Sequence, residues 1–231
     1  MTAIRSALFM AWFLALTAVM AILFLPLLAC PRKATVEMAR FWARATLGGL
    51  RVLAGVNERR IGDVPKGGVL VASKHMSMWD TLALYLALDD PGIVLKRELL
   101  RIPFYGWYLG KAAAIPIDRS AKADALRRMT HAAQRVLAEG RPILIFPEGT
   151  RKKPGMPPDY KPGVAGLYSL LGVTCVPVAL DSGRYWQGFF KYPGTISLQF
   201  LEPVPPGLKR AAFMRELETR IESATDRLLK T

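Results

Sequence analysis

The side chains that ligate soft metals or build disulfides are scarce: 231 residues contain two cysteines, Cys30 and Cys175, and two histidines. One cysteine falls in an apolar, membrane-like segment and the other in an apolar strand. Neither a disulfide framework nor a zinc site is implied, and the expected metal content is none. No Gly-x-Gly-x-x-Gly or Gly-x-Ser-x-Gly is present. Gly106 to Lys111 has the wrong spacing for a phosphate-binding P-loop and no hydroxyl after the lysine. Acidic residues are also few, 18 against 32 lysines and arginines, for a formal charge of +14. An excess of that size speaks about partners: nucleic acid, an anionic membrane or a phosphorylated substrate. The chain has no nucleic-acid motif and a hydrophobic N-terminus, so anionic membrane lipids are expected and nucleic acid is not. Internal repeats, low-complexity tracts and a linker within residues 57–231 are all missing.

At the N-terminus, Ala7 to Cys30 is an uncharged apolar run of 24 residues, long enough as a helix to cross a hydrocarbon core of ~30 Å and too long for a signal-peptide core. Leu27-Leu28-Ala29-Cys30 looks like a lipoprotein cleavage box, but Pro31 and the lack of basic residues beyond Arg5 argue for a retained segment. Pro26 near its end leaves open a helix that enters and returns within one leaflet. Arg32, Lys33, Arg40 and Arg44 follow, placing the downstream chain on the cytoplasmic face of the inner membrane by the positive-inside rule. Thr35 to Val56 reads as a second helix. Its Arg40, Arg44 and Arg51 fall within about 40° of one another in helical projection, beside Phe41, Trp42, Leu47, Leu50 and Leu53. That pattern suits a helix in the headgroup plane, or a surface helix packed on the domain with its arginines in water.

The expected organisation is residues 1–56 as a membrane helix plus an interfacial amphipathic helix, and residues 57–231 as one catalytic-sized domain. Beyond Val56, strand candidates near Val69–Ala72, Ile93–Lys96, Ala113–Ile117, Pro142–Phe146, Thr174–Leu180 and Thr195–Leu201 alternate with helical stretches. The class expected is α/β, a mixed and largely parallel sheet flanked by helices. Asp124 to Glu139 is a helix that stops at Gly140, with His131 on its solvated side. Phe213, Leu217, Ile221 and Leu228 form the buried stripe of a last helix.

Lys74-His75-Met76-Ser77-Met78-Trp79-Asp80 sits where an apolar run stops and an amphipathic one begins. His75 therefore emerges at the carboxyl end of a strand, the edge at which open α/β sheets bind ligands. Five positions along one helix would separate His75 and Asp80 by about 140°, so they pair only if the chain turns between them. A carboxylate accepting from one ring nitrogen would fix the tautomer and leave the other as a base. A capping role for either residue is the bland alternative. A second strand ends in Pro147-Glu148-Gly149-Thr150-Arg151, a third in Ile117-Asp118-Arg119 and a fourth in Lys96-Arg97. Arginine grips phosphate with two prongs and glycine lets backbone amides approach an anion. A base with no protein nucleophile suits transfer of an already activated acyl group: the base deprotonates an acceptor hydroxyl and a thiol leaves.

His75-x-x-x-x-Asp80, Ile117-Asp118-Arg119, Phe146-Pro147-Glu148-Gly149-Thr150-Arg151 and Val176-Pro177-Val178 follow the order and rough spacing found in the glycerolipid acyltransferases. Over roughly residues 55 to 207 the chain resembles the bacterial 1-acylglycerol-3-phosphate acyltransferases. The resemblance implies His75 as base and Asp80 as its orienter, with Arg119, Glu148, Gly149 and Arg151 on the acceptor's glycerol phosphate. Thr150 and Lys96 belong to the same substrate-binding group, and Val176-Pro177-Val178 would line the acyl region. It further implies lysophosphatidic acid as acceptor, an acyl-coenzyme A or acyl carrier protein thioester as donor, and no resident cofactor. Another lysolipid acceptor, or a non-catalytic phospholipid-binding membrane protein, are the competing readings. Lys74 stands where the family usually has asparagine, and Lys161-Pro162-Gly163 fits the family's loop near the site.

Overall fold

A computed structural model describes residues 1–117 and 122–231. Helix α1 runs Thr2–Leu23, and Pro26 then starts a 3-10 turn over Leu25–Ala29, so the apolar run bends before it ends. Helix α2 (Arg32–Gly49) passes into one π-type turn over Leu50–Ala54. It stops at Gly55, whose φ of 71° is left-handed and suits glycine. The two helices pack closely because Gly49 has no side chain: a Cβ there would collide with the Trp12 indole, whose Nε1–H donates to the Ala45 carbonyl at 3.2 Å.

Seven strands form the main sheet: β1 (Val56–Ile61), β2 (Leu70–Ser73), β3 (Gly92–Lys96), β4 (Ile115–Ile117), β5 (Ile143–Ile145), β6 (Cys175–Leu180) and β9 (Gly194–Phe200). Their order is β1-β9-β6-β2-β5-β3-β4. All neighbouring pairs are parallel except β6 with β9. A two-stranded hairpin, β7 (Trp186–Gln187) and β8 (Phe190–Lys191), projects between β6 and β9. The remaining helices are α3 (Met78–Ala87), α4 (Tyr105–Lys111), α5 (Lys122–Ala138), α6 (Gly163–Leu171) and α7 (Arg210–Lys230).

Alternate strand residues point to opposite faces, and each face has its own core. Val71, Leu144, Val176 and Val178 pack with Phe9 of α1, Leu50 of the π turn and Trp79 and Leu84 of α3. Leu70, Ala72, Ile143 and Ile145 pack with Met129 of α5, Leu167 of α6 and Phe213, Leu217 and Ile221 of α7. Since β2, β3, β4, β5 and β6 share one direction, their carboxyl ends lie along a single edge, where the turns after β2, β5 and β6 meet.

Three elements departed from the sequence pattern. β1 reads Val-Asn-Glu-Arg-Arg-Ile, with no apolar alternation, and exists as an edge strand through its six-residue parallel register with β9. Helix α4 and the β7–β8 hairpin are too short to carry a period. The N-terminal helices pack on the sheet, for Phe9, Leu50 and Ala54 belong to the core cluster on one of its faces.

Candidate active site

Ser73 ends β2, and the chain turns through His75 and Met76 into α3. Ser77 is the N-cap in extended conformation, and Asp80 is the third helical residue of a reciprocal capping box. Backbone amides of Met76 and Ser77 donate to Asp80 Oδ2 at 2.6 and 2.8 Å. The same oxygen stands 3.0 Å from His75 Nδ1. Asp80 Oδ1 accepts from the Ser77 hydroxyl at 3.0 Å and from the Ser182 hydroxyl, supplied by the turn after β6. The carboxylate is fully buried, and five donors from two strand ends fix it. An acceptor of this kind selects the Nδ1–H tautomer of His75 and leaves Nε2 with its lone pair.

The imidazole is held from its other side too. Phe146 stacks on it with ring centroids 4.0 Å apart and planes 23° from parallel. The Lys152 amide donates to the His75 carbonyl at 2.9 Å, tying the turn after β5 to the turn after β2. Gly149, with φ of 61°, makes that turn possible.

His75 lines a cavity of about 790 Å³ at this edge. Gly149, Thr150 and Arg151 line it as well, with Lys96 from the end of β3 and Lys161 before α6. Lys96, Arg151 and Lys161 are exposed at its mouth. Its inner wall is apolar, with Val94, Leu126, Met129, Ile145 and Val164 on it, and α4 adds Tyr105 and Leu109. Tyr108 on the same helix donates its hydroxyl to the Ala21 carbonyl near the end of α1 at 3.1 Å. One wall of the cavity is thereby attached to the apolar N-terminal helix.

Other expected site residues lie elsewhere. Glu148 is fully buried beneath the turn and is not among the lining residues. Burial raises its pKa, with Lys74 pulling it back. Lys74 Nζ stands 3.0 Å from Glu148 Oε1 and 2.9 Å from both carboxylate oxygens of Glu222 on α7. The Tyr160 hydroxyl donates to Glu222 Oε1 at 2.8 Å, its proton retained because burial, then Glu222, raise the phenol's pKa. Glu148 is thus tied to Lys74 beneath the turn and set back from the cavity. Val176, Pro177 and Val178 lie on β6, all buried. Val176 and Val178 belong to the core against α1 and α3, and the apolar wall of the cavity comes instead from side chains of β3, α5, β5 and α6. Arg119 lies outside the described residues. Among the described residues no group of three His, Cys, Asp or Glu side chains could hold a metal ion.

Sequence reasoning missed Ser182, Glu222 and Tyr160, which carry no local signal. Ser77 had one: Ser-x-x-Asp ahead of an apolar run is a capping pattern.

The acyltransferase family model matches residues 55–181, more than half of the chain. The chain belongs to the acyltransferase family. It is 37% identical over 161 residues to the 1-acyl-sn-glycerol-3-phosphate acyltransferase of Pseudomonas aeruginosa, a match covering 68% of this chain and 63% of that protein. The enzyme of the same name from Helicobacter pylori is 31% identical over 179 residues, 74% of this chain and 73% of that one. The chain thus spans under two thirds of the length of the Pseudomonas relative. In fold, this acyltransferase-family chain matches the crystal structure of the 1-acyl-sn-glycerophosphate (LPA) acyltransferase PlsC from Thermotoga maritima. The TM-score is 0.79 at 20% identity, covering 99% of this chain and 98% of that one.

Proposed function

We propose that the protein transfers a fatty acyl group from a coenzyme A or acyl carrier protein thioester to the sn-2 hydroxyl of 1-acylglycerol 3-phosphate, giving phosphatidic acid. One observation carries the reading: an imidazole oriented by a buried carboxylate lines a cavity with an apolar wall and a cationic mouth. The lysolipid's phosphate sits among Lys96, Arg151 and Lys161, and its acyl chain against the apolar wall. His75 Nε2 takes the proton of the acceptor hydroxyl as that oxygen attacks the thioester carbonyl. The tetrahedral intermediate collapses by breaking the carbon–sulfur bond, and the imidazolium returns the proton to the departing thiolate. Asp80 stabilises the imidazolium without taking its proton.

The names of the curated relatives support this acceptor. Lys74, the departure from the family pattern, turns away from the cavity toward Glu148 and Glu222, so it gives no reason to prefer another lysolipid.

Helix α1 is held to the domain along its length, by Arg5 Nε to the Leu53 carbonyl at 3.1 Å and by Tyr108 to Ala21. It carries an exposed apolar face with Ile4, Leu8, Val19 and Ile22 on it. A helix so fastened cannot stand upright in a bilayer without drawing charged α2 in with it, so α1 lies in the plane of one leaflet. On this reading the domain sits on the cytoplasmic face of the inner membrane, where the basic residues after α1 meet anionic lipid headgroups.

The test is phosphatidic acid formation by the purified full-length protein in mixed micelles, with each donor in turn. Release of the new acyl chain by phospholipase A2 identifies the sn-2 position. No product from folded protein with either donor would overturn the assignment.

A further inference from the structure

We propose that the β7–β8 hairpin, packed against α1, is a second lipid-docking element; this rests on the reading that α1 lies in a membrane. Phe189, Phe190 and Tyr192 are 49%, 43% and 39% exposed within four consecutive residues. Their rings form one cluster, with centroids 5.4 Å apart for the first pair and 6.3 Å for the second. Exposed aromatics clustered at a hairpin tip mark a surface that meets something apolar.

The inner side of the hairpin joins α1. Trp186 meets Phe9 edge-on at 5.4 Å, and the Lys191 amide donates to the Ser6 hydroxyl at 2.9 Å. Ile4 and Leu8, each two residues from Ser6 and on the opposite side of the helix, are exposed. The hairpin and α1 therefore make one packed unit, and both elements carry exposed apolar side chains.

The tip is also chemically prepared for a dry environment. Backbone carbonyls in hydrocarbon need partners from within the protein. The fully buried Lys191 ammonium supplies them, 2.7 Å from the Gly188 carbonyl and 2.8 Å from the Phe189 carbonyl. Its charge lies 4.6 Å from the Trp186 ring centre and 5.6 Å from that of Phe9, a cation–π enclosure that replaces water. A loop built for water would leave those carbonyls to it. Lipid is the occupant this combination fits: apolar rings outward, tip carbonyls satisfied inward, and an unbroken join to the anchoring helix. The root of the hairpin, the turn Ser182–Arg184, also supplies the hydroxyl that Asp80 accepts, so the docking face and the dyad share one short connection.

Depth measurement by spin label tests the proposal on the full chain bound to phosphatidylethanolamine/phosphatidylglycerol vesicles. In a Cys30→Ser background, nitroxides are placed by Phe189→Cys, by Leu8→Cys on α1, and by Arg215→Cys, exposed on α7 across the sheet. The Phe189 and Leu8 labels should collide with oxygen in preference to a water-soluble nickel chelate, and the Arg215 label the reverse. Phe189→Ser with Phe190→Ser should weaken vesicle binding roughly tenfold or more. It should leave turnover of a short-chain, micelle-free acceptor unchanged. A Phe189 label as open to the nickel chelate as Arg215, with Leu8 shielded, would overturn hairpin docking while sparing α1. Both labels open would overturn α1 and the proposal together. Acyl transfer by the same labelled proteins is read separately, so failure of the enzymatic assignment is distinguishable from either.

Discussion

Lys74 and Glu222, 148 residues apart, share a two-pronged contact of 2.9 Å on each carboxylate oxygen that pins the last helix to the carboxyl end of β2. The same ammonium holds Glu148 at 3.0 Å, and the chain segment between Lys74 and the turn at 147–151 carries His75. The C-terminal helix thus helps set the relative position of the turn that carries His75 and the turn at 147–151.

Replacing Lys74 by asparagine leaves two carboxylates facing each other with no cation between them. Loss of one partner from a buried charge group costs about 3–5 kcal/mol, so urea unfolding should show Lys74→Asn destabilised by that order. Adding Glu222→Gln should recover part of the loss. A double variant no more stable than Lys74→Asn would show that the contact with α7 is not what Lys74 stabilises.

His75→Ala should lower kcat by roughly 10² to 10⁴ while leaving the unfolding midpoint close to that of the wild type. Unchanged turnover would remove the base assignment.

Ser182→Ala takes one of five donors from Asp80 without touching the imidazole. The expected result is a several-fold lower kcat, an unchanged KM for the acceptor and a stability loss of about 1 kcal/mol. A change confined to KM would mean that Ser182 meets substrate instead.

Arg151→Ala should raise KM for a phosphate-bearing acceptor by about ten- to a hundredfold, the worth of a charge-assisted hydrogen bond. KM for an uncharged lysolipid should barely move. An equal loss with both acceptors would count against phosphate binding at this residue.

Burial holds the Glu148 carboxyl above its ordinary 4.5, only partly offset by Lys74. In the interval above that value the folded chain binds more protons than the unfolded one, so stability falls as pH rises through it. Glu148→Gln removes the titration. Wild-type stability measured relative to this variant should therefore decline as pH is raised from about 4 toward neutrality, and a pH-independent gap would contradict the raised pKa.

Much of this was written in local pattern. Strands β2, β5 and β6 are continuous apolar runs, and such runs become strands buried on both faces whatever surrounds them. The His75–Asp80 pairing was legible because a capping turn is a local event: Ser77 and Asp80 close on each other's backbone within one turn of α3. The cationic ends of β3 and β5 follow strands that share a direction, and a parallel sheet sends such ends to one edge.

Tertiary structure alone decided which side chains from distant segments met there. Glu148 sits in a motif that suggests a ligand contact, yet its place was settled by Lys74 and by a glutamate on a helix 74 residues further on, whose position no local period records. Val176 and Val178 are apolar whether they face a cavity or a core, so only the packing of α1 and α3 against β6 assigned them to the core. The apolar stretch at the N-terminus fixed that α1 is a helix, because apolar periodicity and propensity act within a few residues. How that helix is held depended on Arg5, Ser6, Trp12 and Tyr108 finding partners in distant segments, contacts that exist only once the whole chain is folded.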